Sequence, residues 1–400
     1  MSILSIDRIR QYYAWHKWTG LITGLFLLII NLSGAVAVFK DEIDRFLTPA
    51  KVVRPTGTKA SIDQILDALR KQLPGSRPVR IALPERPDAA YVITMSNQKG
   101  EVTEGFGNPY TGEVTGTRQG ETFANVLRQL HLRFYLFGFW GRVVVGIFGV
   151  VFLVSTITGV LIYWRFMRGV FSRGMRFWQI RSGLQLSTSD LHKLVGVGAL
   201  VFNLLIAFTG AFLGLENLTR YAPQAQDALQ PKPQAIKKVA KVSADARAPR
   251  LSIDSNLLAA EAALPGFRPN TITFPGGGVS VIHGKLDGSF ARDRASFVVV
   301  NAAGEAIETF NQTGGTGVSR FYNFIEPLHY GTFGGVSTAG TIVQSIYLLL
   351  GLASAFLSIT GFMLWWLKWR KRTRHSSVAA GRPSASVQPG VAVGSFDGGS

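Results

Sequence analysis

The sequence predicts an α-helical membrane protein: a four-span transmembrane bundle built from a tandem repeat, with two extracytoplasmic α+β domains. Three observations lead there. Four apolar runs, 18–39, 143–164, 194–215 and 341–367, are each long enough to cross a hydrocarbon core of about 30 Å at about 1.5 Å per residue. None contains Asp, Glu, Lys or Arg, whereas a surface helix of a soluble protein shows a polar face. The stretch from Trp15 to Phe39 also recurs from His192 onward. His16 lies over His192, Lys17 over Lys193, Gly20 over Gly196, Gly34 over Gly210 and Ala35 over Ala211, with 18 residues from His to the late Gly in both copies.

Residues 1–39 are a cytoplasmic lead and span 1, read as an uncleaved signal anchor. Its apolar stretch exceeds the about 7–15 residues of a signal-peptide core, and the small residues Ala35-Val36-Ala37 lie inside it. Residues 40–130 form the first α+β domain. Ser61 is an N-cap with Gln64 at the capping-box position, and Ile62, Ile65, Leu66, Leu69 and Leu73 follow at helical spacing until Pro74-Gly75. Alternating strands near 79–83, 89–96 and 101–106 lead to a turn at Asn108–Gly112, and 122–131 has helical spacing again. Span 2 with its outer entrance is 131–164. The loop 165–190, with five arginines among Phe and Trp, reads as a basic segment on an anionic leaflet. Span 3 is 191–215.

Residues 216–328 hold a linker, rich in Ala, Gln, Pro and Lys over 221–250, and the second domain. That domain repeats Ser-Ile-Asp (61 and 252) and Leu-Pro-Gly (73 and 264), and FYNFIEPLH (321–329) lies over FANVLRQLH (123–131). Span 4 with its entrance is 329–367, where ITGFMLWW answers the ITGVLIYW of span 2. Residues 368–400 are a basic, then disordered, tail.

The net charge of +18 is unevenly spread. Segments 40–130 and 216–328 are each near neutral, with 13 basic and 11 acidic residues and 12 and 10 respectively. The excess lies in the N-terminus, the 165–193 loop and the tail, which the positive-inside rule puts in the cytoplasm. Charge that hugs the membrane ends argues against nucleic acid as a partner, and for lipid.

There is no cysteine, which removes disulfides, iron–sulfur clusters, covalent haem attachment and thiolate zinc. No phosphate loop, dinucleotide fingerprint, nucleophile elbow or HExxH occurs, so no flavin or nicotinamide domain is read in the chain. The apolar runs carry no carboxylate and no arginine, which speaks against an ion-coupled transporter.

Chemistry therefore falls to histidine. Of six, four occupy corresponding positions of the repeat: His16 with His192 at the cytoplasmic end, His131 with His329 at the outer end. His283 and His375 lie outside the pattern. A single interfacial histidine is usually a polar anchor, but two imidazoles facing each other across a bundle are what a b-type haem needs, with small residues letting the macrocycle approach. Gly20, Gly24, Gly34, Gly196, Gly198 and Gly210 supply such positions. Lys17, Lys193, Arg133 and Arg142 lie at depths suited to propionates or lipid phosphates. Asn31, Asn203 and Gln344 are expected to bond across helices.

In HKWTGLITG (16–24), LSGAVAVFKDEID (32–44), NPYTGEV (108–114), LRQLH (127–131), WGRVVVG (140–146), TGVLIYW (158–164) and LHKLVG (191–196), the chain resembles the PepSY-associated transmembrane helix family. The resemblance spans about residues 1–370. It implies that the two extracytoplasmic units are PepSY-like. It also implies a bacterial inner-membrane protein, multi-pass, with two periplasmic domains. Some members are di-haem reductases that release iron from ferric siderophores. Carried over, His16 and His192 would ligate one bis-His haem and His131 and His329 the other. The substrate would be a ferric siderophore or another ferric chelate, reduced so that Fe(II) leaves its hard oxygen ligands. The electron donor would be cytoplasmic or a quinol. Tyr110, Tyr135, Tyr322 and Tyr330 are candidate substrate contacts. The alternatives are a non-enzymatic module that binds or restrains a partner protein, and a histidine metal site without haem.

Overall fold

The computed structural model describes residues 6–135, 138–173, 184–235, 252–276 and 278–380. Most of the basic 165–190 loop, most of the 221–250 linker and the end of the tail lie outside the described residues or side chains. Four helices are long and apolar enough to cross a membrane. In chain order the helices are α1 (Ile6–Ala37), α2 (Lys40–Leu47), α3 (Ile62–Gln72), α4 (Phe123–Arg133), α5 (Gly138–Arg173), α6 (Leu184–Gly198), α7 (Leu200–Leu215), α8 (Pro223–Leu229), α9 (Ile253–Ala263), α10 (Gly317–Tyr330) and α11 (Thr338–Ala380). Span 3 is thus two helices, α6 and α7, broken at Ala199. The expected linker contains α8, which starts on a proline and buries Leu229; the expected tail begins as helix, to Ala380.

In the bundle α1 packs against α5 and α11, and α5 against α7. Lipid tails give no hydrophobic drive between helices, so close approach rests on small side chains. A Cβ on Gly351 of α11 would stand 2.8 Å from the Ala35 Cβ of α1; one on Gly149 of α5 would stand 2.7 Å from the Ala211 nitrogen of α7. Asn203 and Gln344 bond across helices as expected: Ser354 donates to Asn203 Oδ1 (2.5 Å), and Gln344 Nε2 donates to Val38 O (3.3 Å).

The extramembranous part is one antiparallel sheet. Strands β1 (Arg77–Ala82), β2 (Tyr91–Ser96), β3 (Val102–Gly107), β4 (Val114–Gln119), β5 (Phe267–Gly276), β6 (Val279–Leu286), β7 (Ser296–Val300) and β8 (Ala306–Phe310) run in the order β4-β3-β2-β1-β5-β6-β7-β8. The two segments expected as separate domains therefore meet at β1–β5, where Ile81 pairs with Ile272. They also share a core: Ile62, Ile65, Leu66 and Leu69 of α3 and Ile253 and Ala260 of α9 bury against Ile81, Ile93, Ile272, Ile282 and Val298. Neither four-stranded half could cover its apolar face and its inner edge alone.

The two Ser-Ile-Asp motifs explain the join. Asp254 accepts from the Ile62 amide (3.1 Å) and the Ser61 hydroxyl, while Asp63 accepts from the Ile253 amide (2.8 Å). Each helix N-terminus is capped by the carboxylate of the other. Gln64, expected to close a capping box, instead lies against Gly112.

The sheet's other face looks toward the bundle and is tied to it at both ends. On β4, Arg118 donates to Asp44 of α2 (2.8 Å) and to Glu104 (2.5 Å), and Lys51 also bonds Asp44. On the β6–β7 loop, the Arg292 side chain donates to Asn323 Oδ1 of α10 (2.9 Å) and its amide to Asn323 O (3.0 Å).

Two expectations follow. Asp254→Ala should weaken the Ile62 cap by about 1 kcal/mol, read as faster amide exchange at Ile62 with Ile253 unchanged. Burial works against ionisation of Asp44, but hydrogen bonds and charge from Arg118 and Lys51 outweigh it and hold the carboxyl below its usual range. A carboxylate with a depressed folded pKa adds stability above its unfolded pKa of about 3.9 and loses it as pH falls further. Asp44→Asn should therefore make the acid unfolding profile shallower below about pH 4.

Candidate functional site

The four repeat-related histidines come together as two facing pairs. The ring centres of His16 and His192 are 6.2 Å apart, as are those of His131 and His329. His16 sits near the start of α1 and His192 in α6; His131 and His329 lie in the last turns of α4 and α10. Gly34, against which His131 packs, is 18 residues beyond His16 on α1, so the two pairs are separated by about 27 Å of helix rise.

Each ring is held in the same way, by its Nδ1 and by a glycine. His16 Nδ1 lies 2.8 Å from Ser155 O of α5, and His131 Nδ1 lies 3.0 Å from Ile30 O of α1. A carbonyl only accepts, so Nδ1 carries the proton. His192 Nδ1 meets Thr360 Oγ1 (2.8 Å) and His329 Nδ1 meets Thr209 Oγ1 (2.8 Å). Those hydroxyls give their own protons to Phe356 O (2.9 Å) and Leu205 O (2.7 Å), one helical turn back, and so accept from the imidazoles. All four Nε2 atoms are left with a lone pair. This is the arrangement metal-ligating histidines use, the outer nitrogen fixing tautomer and ring direction.

The glycines make room for the rings. A Cβ on Gly34 would stand 2.6 Å from His131 Cε1 and one on Gly210 3.1 Å from His329 Cε1. At the other pair, Gly159 would meet His16 Cε1 at 3.2 Å and Gly361 would meet His192 Cε1 at 3.7 Å. Of the glycines singled out in the sequence, Gly34 and Gly210 touch a histidine. Gly20, one turn beyond His16, has no atom within 4 Å of where its Cβ would be.

Metal–imidazole bonds are about 2 Å long, so two imidazoles in trans on one metal put their ring centres about 6 Å apart. Both pairs meet that separation. Among the described residues no group of three or more His, Cys, Asp or Glu gathers to hold a metal ion. A bare ion at either pair would find two protein ligands, fewer than zinc sites use; a macrocycle brings four nitrogens of its own. The donor set therefore fits haem better than the metal-only alternative. Two further groups suit a bound macrocycle at the outer pair: the buried Nε of Arg133 and the Nδ2 of Asn31, beside the Ile30 carbonyl, have no hydrogen-bond partner. Lys17 stacks over Trp18 (4.3 Å), and Lys193 pairs with Asp190 (3.2 Å). The two pairs are not identical, since the ring planes meet at 79° for His16–His192 and 35° for His131–His329.

The other candidates separate. The Tyr330 and His329 ring centres are 5.8 Å apart, and Tyr322 is buried under the Arg292 guanidinium (4.9 Å). Tyr110 bonds Pro87 O (2.8 Å) within the first sheet segment, and Tyr135 is exposed in a left-handed turn (φ 60°) after α4. His283 belongs to β6 and bonds Thr273 (3.2 Å); the His375 side chain lies outside the described ones. Sequence reading missed Thr209, Thr360, Ser155, Gly159 and Gly361. For Gly159, Thr360 and Gly361 the available signal was the repeated Ile-Thr-Gly in spans 2 and 4. With haem bound, Gly34→Ala should shift the absorption of the outer site alone, and Gly361→Ala should leave both sites unchanged.

A sequence profile for the PepSY-associated TM region matches residues 13–368. Among curated proteins, an uncharacterised protein of Pseudomonas aeruginosa is 28% identical over 262 residues, 60% of this chain and 62% of that relative's length. The chain thus spans less than two thirds of that relative. A match that takes in both histidine pairs, the sheet and all four spans makes this chain a member of the PepSY-associated transmembrane family.

Proposed function

We propose that the protein is an inner-membrane di-haem b electron carrier that reduces a ferric substrate, a ferric siderophore or related chelate, on the periplasmic side. In this reading the chain is a tandem duplication, both termini are cytoplasmic and the sheet is periplasmic. The observation that supports it most is the pair of facing imidazole couples, each 6.2 Å between ring centres with every Nδ1 engaged.

His16 and His192 would hold the haem at the cytoplasmic end, His131 and His329 the one beneath the sheet. Bound haem supplies one-electron chemistry between ferrous and ferric iron. The protein's part is to bind and to insulate. Ser155 O, Ile30 O, Thr209 and Thr360 hold the proton on each Nδ1 and leave each Nε2 free to act as a ligand. The apolar walls of α1, α5, α7 and α11 exclude water along the path. Phe26, Phe134 and Phe148 cluster near the outer end, with ring centres 4.9 to 5.8 Å apart, and help close it to water. At the outer end one electron would pass to the substrate's Fe(III), and Fe(II) would bind its oxygen ligands less tightly. The electron enters from a cytoplasmic reductant or a membrane quinol.

The test is optical. Purified full-length protein should carry about two low-spin bis-His haems per chain with a split α band. His131→Ala or His329→Ala should remove one haem and abolish reduction of ferric chelates by dithionite-reduced protein, while His16→Ala removes the other. A colourless preparation from haem-sufficient cells would overturn the reading.

A further inference from the structure

The sheet face that looks toward the bundle, and the helix ends beneath it, carry arginines that no carboxylate pairs directly. Arg80 of β1 pairs in register with Thr94 of β2 and Thr273 of β5, on the face opposite the Ile81–Ile93–Ile272 row that α3 and α9 cover. The same cross-strand row runs on through Glu104 to Arg118, whose bonds to Asp44 of α2 fix that face toward the bundle. From the other end, Arg292 binds Asn323 of α10 and so brings Arg294, two residues on, beside the helix that carries His329. From below, Arg128 projects from α4 one turn before His131.

Arg80, Arg128 and Arg294 are open to solvent, although neighbouring atoms partly cover the Arg80 guanidinium, and none makes an ion pair or hydrogen bond among the described residues. Their mutual influence supports their placement around one space: burial, then Arg294, and also Arg128 pull the Arg80 guanidinium below its usual range, against Glu104. The acids nearby are largely engaged. Asp293 pairs with Lys285 (2.9 Å), Glu104 with Arg118 (2.5 Å), and Glu326 stands 4.0 Å from Arg292; Glu85, near Asp293, has no bonded cation. Unpaired guanidiniums close enough to perturb one another are suited to bidentate recognition of carboxylates.

We propose that the bundle-facing side of the sheet and the α4–α10 ends, which bear Arg80, Arg294 and Arg128, form a binding site for a polyanionic, carboxylate-bearing ferric chelate. The inference rests on the outer histidine pair being where the ferric substrate is reduced, and it names the charge class of that substrate. A neutral or cationic chelate would leave three guanidiniums uncompensated.

The experiment uses gallium(III) citrate, a redox-inert stand-in for the ferric chelate, and the full-length protein in phosphatidylcholine nanodiscs. Binding requires no electron transfer, so this outcome is independent of the haem reading, which the absorption spectrum tests separately. The wild type should bind, more weakly as salt rises. Arg80→Gln with Arg294→Gln should weaken binding by about tenfold or more, as loss of charged hydrogen bonds does. The exposed positions tolerate the change, and native α-helix and β-sheet circular dichroism confirms the fold. Arg80→Lys should lose part of the affinity, since the charge stays and the fork is lost. Equal affinity in wild type and double variant, or no binding by the wild type, overturns the proposal. So does binding that disappears in nanodiscs containing phosphatidylglycerol, because the arginines would then serve lipid headgroups.

Discussion

An imidazole placed among hydrocarbon-facing helices cannot leave its N–H unbonded, and the bundle is arranged around that constraint. A polar hydrogen without a partner in an apolar setting costs several kcal/mol, about 2–7 depending on the reference state. Each of the four paired histidines meets the demand with a neighbouring helix. His16 uses the Ser155 carbonyl, His131 that of Ile30, His192 the Thr360 hydroxyl and His329 the Thr209 hydroxyl. The same contact sets the tautomer, the ring's direction and the distance between helices. With the proton committed at Nδ1, each Nε2 keeps its lone pair, and the partner ring centre lies 6.2 Å away.

The glycines follow from this. A ring pressed against the next helix favours a residue with no Cβ there: an alanine at Gly34 would collide with the ring, and one at Gly159 or Gly210 would fit only if the ring gave by a few tenths of an ångström. Tight packing elsewhere, at Gly351 against Ala35 and Gly149 against Ala211, draws α11 to α1 and α7 to α5. Each histidine therefore stays anchored to a helix of its own half of the chain, while the glycine–alanine contacts hold one half against the other. Above the bundle, the exchange of carboxylate caps between α3 and α9 and the β1–β5 ladder make a single rigid cover. That cover is tied to α2 by Arg118 at one end and to α10, the helix that carries His329, by Arg292 at the other. The chelate site proposed above depends on these ties.

Much of the fold was legible because its signals are local. The span lengths, the α3 helix with its Ser61 cap and the Asn108–Gly112 turn can each be read within a short window. The union of the two sheet halves was not, because β1–β5 pairing joins residues nearly two hundred positions apart, and no local pattern marks an inner edge as paired. Asp63 and Asp254 looked like ordinary first-turn acids. A further match went unread: Asn97–Glu101 and Asn301–Glu305 are the same hairpin, each with Asn accepting from the Gly amide at 3.0 Å. Its two copies are offset by 204 residues, against 191 for the Ser-Ile-Asp motifs, so an alignment anchored on the helices does not reach it.

The sequence by itself determined the four spans, the recurrence of their motifs and the identity of the paired histidines. Hydrophobic length and an 18-residue interval are properties of the chain. Only the tertiary structure decided that each pair faces across 6.2 Å, that every Nδ1 is engaged, and that Thr209 and Thr360 serve where a bare carbonyl serves in the other half. The reason is physical. A ligand pair is a distance between helices, and that distance is set by which small residues let two backbones meet. Sequence supplies those residues, but their partners are fixed only when the bundle closes.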